Sequence, residues 1–166
     1  MAAAPSTASY PLRKKEIILC LDGNNSRFNF ILNDRIATTG RVHLLGFTLV
    51  NATKNLTTFY FGPETNLVLI DTASNVVQPG GFSIIHNTGA STVRYSPPRL
   101  IAATKNREVQ AVSLQVRDRD GADHNPTSNK LFDYCYLLLS VDEIQGPRTP
   151  DWLQQVPSIQ QTMDTA

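Results

Sequence analysis

Short runs along the middle of the chain carry apolar residues at every second position, which is the repeat of a β-strand with one buried face. In the run 108–117, Val112, Leu114 and Val116 lie on one face and alternate with the polar residues Ser113, Gln115 and Arg117. Residues 131–141 differ, because both sets of alternate positions are apolar or aromatic. Such a run predicts a central strand or one that lies against a partner.

Turn-forming residues separate these runs and limit each predicted strand; the sequence DGNN at 22–25 is an example. Gly46 stands inside one run, which predicts a bulge or a close backbone approach. Helical periodicity is confined to one turn at 151–155. The pattern predicts an all-β chain with about eight strands, folded as an antiparallel sandwich or barrel. The predicted strands are 16–21, 28–32, 41–51, 57–61, 66–71, 82–86, 92–95, 100–103, 108–117 and 131–141.

Length and composition fit one domain between two polar ends. A chain of 166 residues, 41% of them hydrophobic, is long enough to bury roughly 70% of its unfolded surface without a metal or disulfide. We expect residues 12–145 to form this domain and residues 1–11 to form a flexible N-terminal arm. Residues 146–166 are predicted as a C-terminal tail, with Trp152 and Leu153 as its docking points.

Charge and hydropathy exclude several classes of protein. The chain has 15 basic and 14 acidic side chains, a net charge of +1, which argues against a strongly basic nucleic-acid-binding protein and against a disordered chain. No apolar run reaches the 18 or so residues of a membrane span. The N-terminus lacks the basic-then-apolar order of a signal peptide, so we expect synthesis in the cytosol.

Candidate catalytic residues are few. Asp71 follows an apolar run and opens the sequence DTAS, which resembles the aspartic-protease turn, but Ala73 stands where that turn needs glycine. A strand that ends in a polar turn explains it better, and we expect no enzyme activity. Cys20 and Cys135 each lie in an apolar run and are predicted to be reduced, buried and unreactive. The three histidines stand on separate segments and are predicted as half-buried polar residues.

One loop carries candidate metal ligands. Asp118, Asp120 and Asp123 alternate around a glycine, a pattern that can supply oxygen ligands to Ca²⁺. An EF-hand loop counted from Asp118 would need glycine and glutamate where Asp123 and Asn129 stand. Asp-Gly and Asn-Pro are ordinary turn formers. The loop is therefore predicted as an exposed hairpin connection, with no bound cofactor.

The last two predicted strands resemble the closing strands of viral jelly-roll capsid proteins. In that family a strand ends at an Asp-x-Asp-Gly turn, as at 118–121, and an apolar strand ending in acidic residues follows, as at 131–143. The sequence LLGFTLVN at 44–51 suits the same family. The size and the N-terminal arm are similar to minor capsid or penton-type proteins of DNA viruses. The resemblance implies a single jelly roll of about eight strands.

The resemblance also implies a structural function. The chain would assemble with copies of itself and with other capsid proteins in a virion, with no membrane and no specific nucleic-acid partner. Beyond the resemblance, aromatic anchors dominate interface energies, so we expect contacts at Trp152 and Leu153. The basic run Arg13, Lys14 and Lys15 is a further candidate contact with acidic surfaces or nucleic acid, or else a solvated entry to the first strand.

Two other functions stay open at this point. One is a receptor- or carbohydrate-binding β-sandwich, such as a trimeric spike head, with Ca²⁺ at Asp118, Asp120 and Asp123. The other is a homodimeric aspartic protease with Asp71 as its catalytic residue.

Overall fold

Nine β-strands make up the part of the chain described by the structure, a computed structural model that covers residues 12–70 and 80–144. None of the described residues forms a helix that could cross a membrane. The strands are β1 (Leu12–Asp22), β2 (Arg27–Ile36), β3 (Gly40–Ala52), β4 (Leu56–Phe61), β5 (Leu67–Val68), β6 (Gly81–Ile85), β7 (Gly89–Thr104), β8 (Val109–Asp118) and β9 (Tyr134–Ile144).

The strands form two antiparallel sheets with jelly-roll connectivity. The five-stranded sheet has the order β1-β9-β3-β7-β5, and the four-stranded sheet has the order β2-β8-β4-β6. When the two-residue β5 is set aside, consecutive strands lie in opposite sheets except β4 and β6, which pair with each other in the four-stranded sheet. This arrangement of eight strands is that of a jelly roll. The predicted all-β antiparallel sandwich is confirmed.

The hydrophobic core lies on the facing sides of the two sheets. Alternation along β8 buries Val112, Leu114 and Val116, as the sequence predicts. Phe59 of β4 is fully buried and stacks on Phe82 of β6, with 5.2 Å between ring centroids. Such stacked aromatic pairs add to the stabilisation that burial of their area gives.

The predicted bulge at Gly46 is confirmed. The register of β3 shifts between Leu44 and Gly46 against both neighbouring strands. A Cβ atom at this glycine would collide with the carbonyl oxygen of Val93, so the close approach of β7 requires glycine. The bulge also changes which side chains face the core: Leu44 is buried, whereas Leu45, expected on the same face as Phe47, is only half-buried.

Three predicted boundaries were wrong. Segments 92–95 and 100–103 belong to one strand, β7, because Pro97 and Pro98 interrupt the apolar pattern but lie in a bulge of the ladder. The predicted strand 66–71 contains only the two-residue β5, and β9 begins at Tyr134 rather than at residue 131. The arm 1–11, the tail 146–166 with Trp152 and Leu153, the turn 151–155 and Asp71 lie outside the described residues.

Candidate interaction surface

Exposed apolar side chains of the described chain are concentrated on β1 and β9. Seven large hydrophobic side chains are exposed among the described residues, and five of them lie on these two neighbouring strands. We call this region the β1–β9 surface. Its exposed members are Leu12, Ile18, Tyr134, Tyr136 and Ile144.

The register of the two strands places these side chains on the outer face in two groups: Leu12 and Ile144 lie opposite each other at one end, and Ile18, Tyr134 and Tyr136 lie toward the other. Ile18 lies opposite Leu138, and Cys20 lies opposite Tyr136. Beside them, Gly46 has no side chain and leaves a shallow groove of about 290 Å³ that Ile18, Tyr136 and Leu138 line. The predicted two-sided apolar character of β9 explains this surface: one face of the strand fills the core and the other faces outward.

A second groove, of about 340 Å³, separates β1 from β2, which are edge strands of the two sheets. Ile17 and Leu19 line it from β1, and Phe30 and Leu32 line it from β2. Because edge strands keep one row of backbone donors and acceptors free of their own sheet, this side of the sandwich offers hydrogen-bonding groups as well as apolar contacts.

A buried carboxylate pairs with Lys15, a residue that lines this groove. Glu143 of β9 is only 2% exposed, and its carboxylate lies 3.2 Å from Lys15 Nζ and 3.6 Å from the guanidinium of Arg13. The backbone N–H of Ala37 also donates to it, at 2.7 Å. Lys15 and Arg13 reach Asp34 of β2 as well. These charges tie the two edge strands together.

These four residues, Arg13, Lys15, Asp34 and Glu143, form what we call the Glu143 cluster. The cluster includes two of the three basic residues that the sequence marks as candidate contacts. Arg13 and Lys15 make ion pairs within the chain. Lys14 is exposed and makes no ion pair with any residue in the described ranges. Sequence reasoning missed Glu143, since an acidic residue near a strand end gives no sign that it is buried.

The loop between β8 and β9 is mostly exposed, as predicted, but it connects the two sheets and does not close a hairpin. Asp118 is buried, and its carboxylate accepts hydrogen bonds from the backbone N–H groups of Asp120 and Ala122 and from the Asn129 side chain. Burial raises the pKa of Asp118, but these hydrogen bonds and the Lys54 ammonium outweigh that effect, so the net pKa is lowered. The carboxylate organises the loop from inside.

The three candidate calcium ligands have separate partners. Asp123 pairs with Arg117 at 2.9 Å, and the exposed Asp120 lies 3.8 Å from Arg119, whereas Asp118 points into the loop. Within 12–70 and 80–144, no three or more histidine, cysteine or acidic side chains form a group that could hold a metal ion.

His124 anchors the same loop. It is fully buried and stacks on Phe132, with ring centroids 4.8 Å apart. Its Nδ1 accepts a hydrogen bond from the Leu131 backbone N–H at 3.0 Å, so Nε2 carries the proton and donates to the Gly23 carbonyl at 3.1 Å. Burial lowers the pKa of this imidazole. The prediction that the histidines are half-buried was therefore wrong for His124, and it was also wrong for His86, which is buried. His43 is half-buried, as predicted.

The neutral form of His124 makes stability depend on pH. Since its folded pKa lies below the unfolded value of 6.5, the unfolded chain binds the proton first as pH falls. The stabilisation is present above 6.5 and is lost as pH falls toward the folded pKa. We expect this residue to contribute a slope of up to about 1.4 kcal/mol per pH unit to the free energy of unfolding in that window.

Urea titrations between about pH 7 and pH 5 measure this slope. His124→Gln, whatever its stability at neutral pH, should show a smaller slope than the wild-type chain. His43→Gln is the matched control, because His43 is half-buried and reaches only Asp142, at 3.9 Å. Equal slopes in the wild-type and His124→Gln proteins would contradict this role.

The two cysteines have different environments. Cys135 is buried, as expected, and burial raises the pKa of its thiol, which keeps it protonated. Cys20 is exposed, so the prediction that it is buried was wrong: it lies on the outer face of an edge strand. The Cys20 thiol raises the pKa of the Tyr136 hydroxyl.

Comparison with known proteins gives no family. No protein-family model and no curated protein matches the chain. Solved structures with a similar arrangement include the subunit of Bacillus endospore appendages, a family of disulfide-linked pili. That match has 9% identity, a TM-score of 0.34 and coverage of 81% of this chain and 89% of that one.

Two viral proteins are among the other similar structures. The VP2 protein of infectious bursal disease virus matches at 10% identity and TM-score 0.33, over 82% of this chain but only 32% of its own length. The virus-like particle of the prawn Macrobrachium rosenbergii extra small virus matches at 8% identity and TM-score 0.28, over 81% and 80% of the two chains. TM-scores this low do not establish a shared family, so the function is argued from the residues of this chain.

Proposed function

We propose that this chain is a structural subunit that self-assembles, a single jelly-roll capsid component of a virion. One observation carries the proposal: five of the seven exposed large hydrophobic side chains of the described residues lie on β1 and β9. Of these, Ile18, Tyr134 and Tyr136 lie close together, and a cluster of exposed apolar side chains on a folded domain marks an interaction site. The jelly-roll strand order supports the capsid role, since this architecture recurs in viral capsids.

In this role the sandwich acts as a building block rather than as a catalyst. Its own core fills the space between the sheets, so contacts with other subunits fall to its edges, outer faces and loops. A repeated contact between two different surfaces of the same chain closes into a ring when the rotation between neighbours allows it. We propose a minor capsid or vertex (penton-type) position, with copies of itself and other capsid proteins as partners.

Sedimentation velocity over a concentration series tests self-assembly. The full chain should sediment as a discrete oligomer, and Ile18→Asp should weaken self-association at least about tenfold, because a charge would replace a 68% exposed apolar contact residue. Ile85→Asp is the matched control: Ile85 is equally apolar and 78% exposed but lies on β6, in the other sheet. A wild-type chain that stays monomeric at every concentration would overturn the proposal.

The carbohydrate- or receptor-binding alternative makes a different prediction. A calcium-dependent binding module would melt at a higher temperature with Ca²⁺ than with a chelator. On the assembly proposal, the melting temperature and the sedimentation profile are the same in both conditions.

A further inference from the structure

We propose that the self-contact runs along β1, which pairs antiparallel with β1 of a second copy about a two-fold axis at Ile18. This inference rests on the proposed self-assembly and names one of its contacts: a two-fold pairing closes at a dimer, so rings or particles need a second contact, between two different surfaces of the chain. The two five-stranded sheets would then continue into one ten-stranded sheet. Main-chain hydrogen bonds would supply the affinity, and the side chains of β1 would set the register.

The edge of β1 is more suitable for this pairing than the edge of β2, the other long edge strand. All 11 residues of β1 pair with β9 in one unbroken register, so its opposite edge, which pairs with no strand within 12–70 and 80–144, is regular. The second half of the strand, residues 17–21, is apolar and includes the exposed Ile18. Natural sheets usually blunt such an edge with bulges or charges.

The edge of β2 is blunted in that way. Its pairing with β8 is interrupted between Ile31 and Ile36, and bulges of this kind twist an edge away from further pairing. The Lys15 ammonium also donates to the backbone carbonyls of Asp34 and Arg35. Part of the β2 edge is therefore already occupied by a side chain of β1.

Among registers centred on residues 16 to 19, the side chains of β1 favour one. Residues opposite each other in an antiparallel pair share a face, so inner positions must meet inner positions. A two-fold axis at Ile18 sets this exposed side chain against its own copy and sets Lys14 opposite Asp22 twice. Axes at Glu16 or Leu19 bring carboxylates face to face. An axis at Ile17 leaves Lys14 opposite Cys20, with no charge partner.

Lys14 and Asp22 can both take part in this ion pair between the two copies. Lys14 is exposed, on the outer face, and without an ion-pair partner in the described part of the chain. Asp22 is half-buried; its carboxylate accepts from the Asn24 backbone N–H at 2.5 Å and from the Asn25 amide at 3.1 Å. A carboxylate offers about four acceptor sites, so Asp22 can still receive the ammonium of a second copy.

Disulfide trapping tests both the surface and the register. In the proposed pairing, residue 18 faces residue 18 of the partner, with Cα atoms about 4.5–5.5 Å apart, within the range a disulfide spans. Ile18→Cys combined with Cys20→Ser should form an intermolecular disulfide under mild oxidation, seen as a dimer on a non-reducing gel. Glu16→Cys should also cross-link, through Cys20 of the other copy.

The matched control removes only that second thiol. Glu16→Cys combined with Cys20→Ser should give no dimer, because residue 16 of one copy lies four positions from residue 16 of the other. An oligomer that cross-links through Ile31→Cys in the Cys20→Ser background but not through Ile18→Cys would overturn the β1 contact and leave self-assembly standing. A chain that remains monomeric by sedimentation would overturn both.

Discussion

Replacing Phe59 with alanine is expected to lower the free energy of unfolding by about 3–5 kcal/mol. The side chain is 0% exposed, at the centre of the inner face of the four-stranded sheet. Its removal loses the burial of an aromatic ring, the stacking on Phe82, and the packing of the neighbours around the cavity. Urea denaturation measures the loss as a lower midpoint with an unchanged m-value.

Ile85→Ala is the control for this substitution. Ile85 ends β6, the strand that carries Phe82, but its side chain is mostly exposed. We expect a change within about 0.5 kcal/mol, as for other surface substitutions. Similar losses in the two variants would contradict the assignment of Phe59 to the core.

Glu143→Ala is expected to destabilise the chain by about 3–5 kcal/mol, since it breaks a buried ion pair by removing one partner. Lys15 would lose the carboxylate 3.2 Å from its ammonium, and the Ala37 N–H would lose its acceptor. The substitution would also loosen the link between the edge strands β1 and β2. Urea denaturation at pH 7 measures the loss.

Glu108→Ala is the matched control for the buried pair. Glu108 pairs with Arg35 at 3.4 Å, but both side chains are more than half exposed. Exposed pairs contribute only about 0.2–1 kcal/mol, so this variant should stay close to the wild-type stability. If Glu143→Ala were equally mild, the Glu143 cluster would not be the link between the edge strands.

Much of the fold could be predicted from the sequence because strand alternation is a local signal. The buried face of β8 follows directly from its alternating residues. Alternation does not say which strands pair. The jelly-roll connectivity was therefore predicted only through the resemblance to viral capsid proteins. The prolines at 97 and 98 show the opposite case: they interrupt a local pattern, yet β7 continues past them because β3 holds its ladder on both sides.

The interaction surface could be predicted only in part. The outward apolar face of β9 is visible in the sequence of residues 131–141, but its paired residues on β1 are 112 or more positions away along the chain. Register with β9 is what places Ile18 beside Leu138 and the exposed Cys20 beside Tyr136. The burial of Glu143 and His124 likewise depends on partners distant in sequence, such as Lys15 and Gly23.

Electron microscopy of the purified full chain tests the central claim, self-assembly of this sandwich, most directly. At concentrations where sedimentation shows an oligomer, the account predicts closed particles or rings of uniform size, and it predicts their loss in Ile18→Asp but not in Ile85→Asp. Fields that contain only monomer-sized particles at every concentration, in the wild-type chain as in Ile18→Asp, would contradict it.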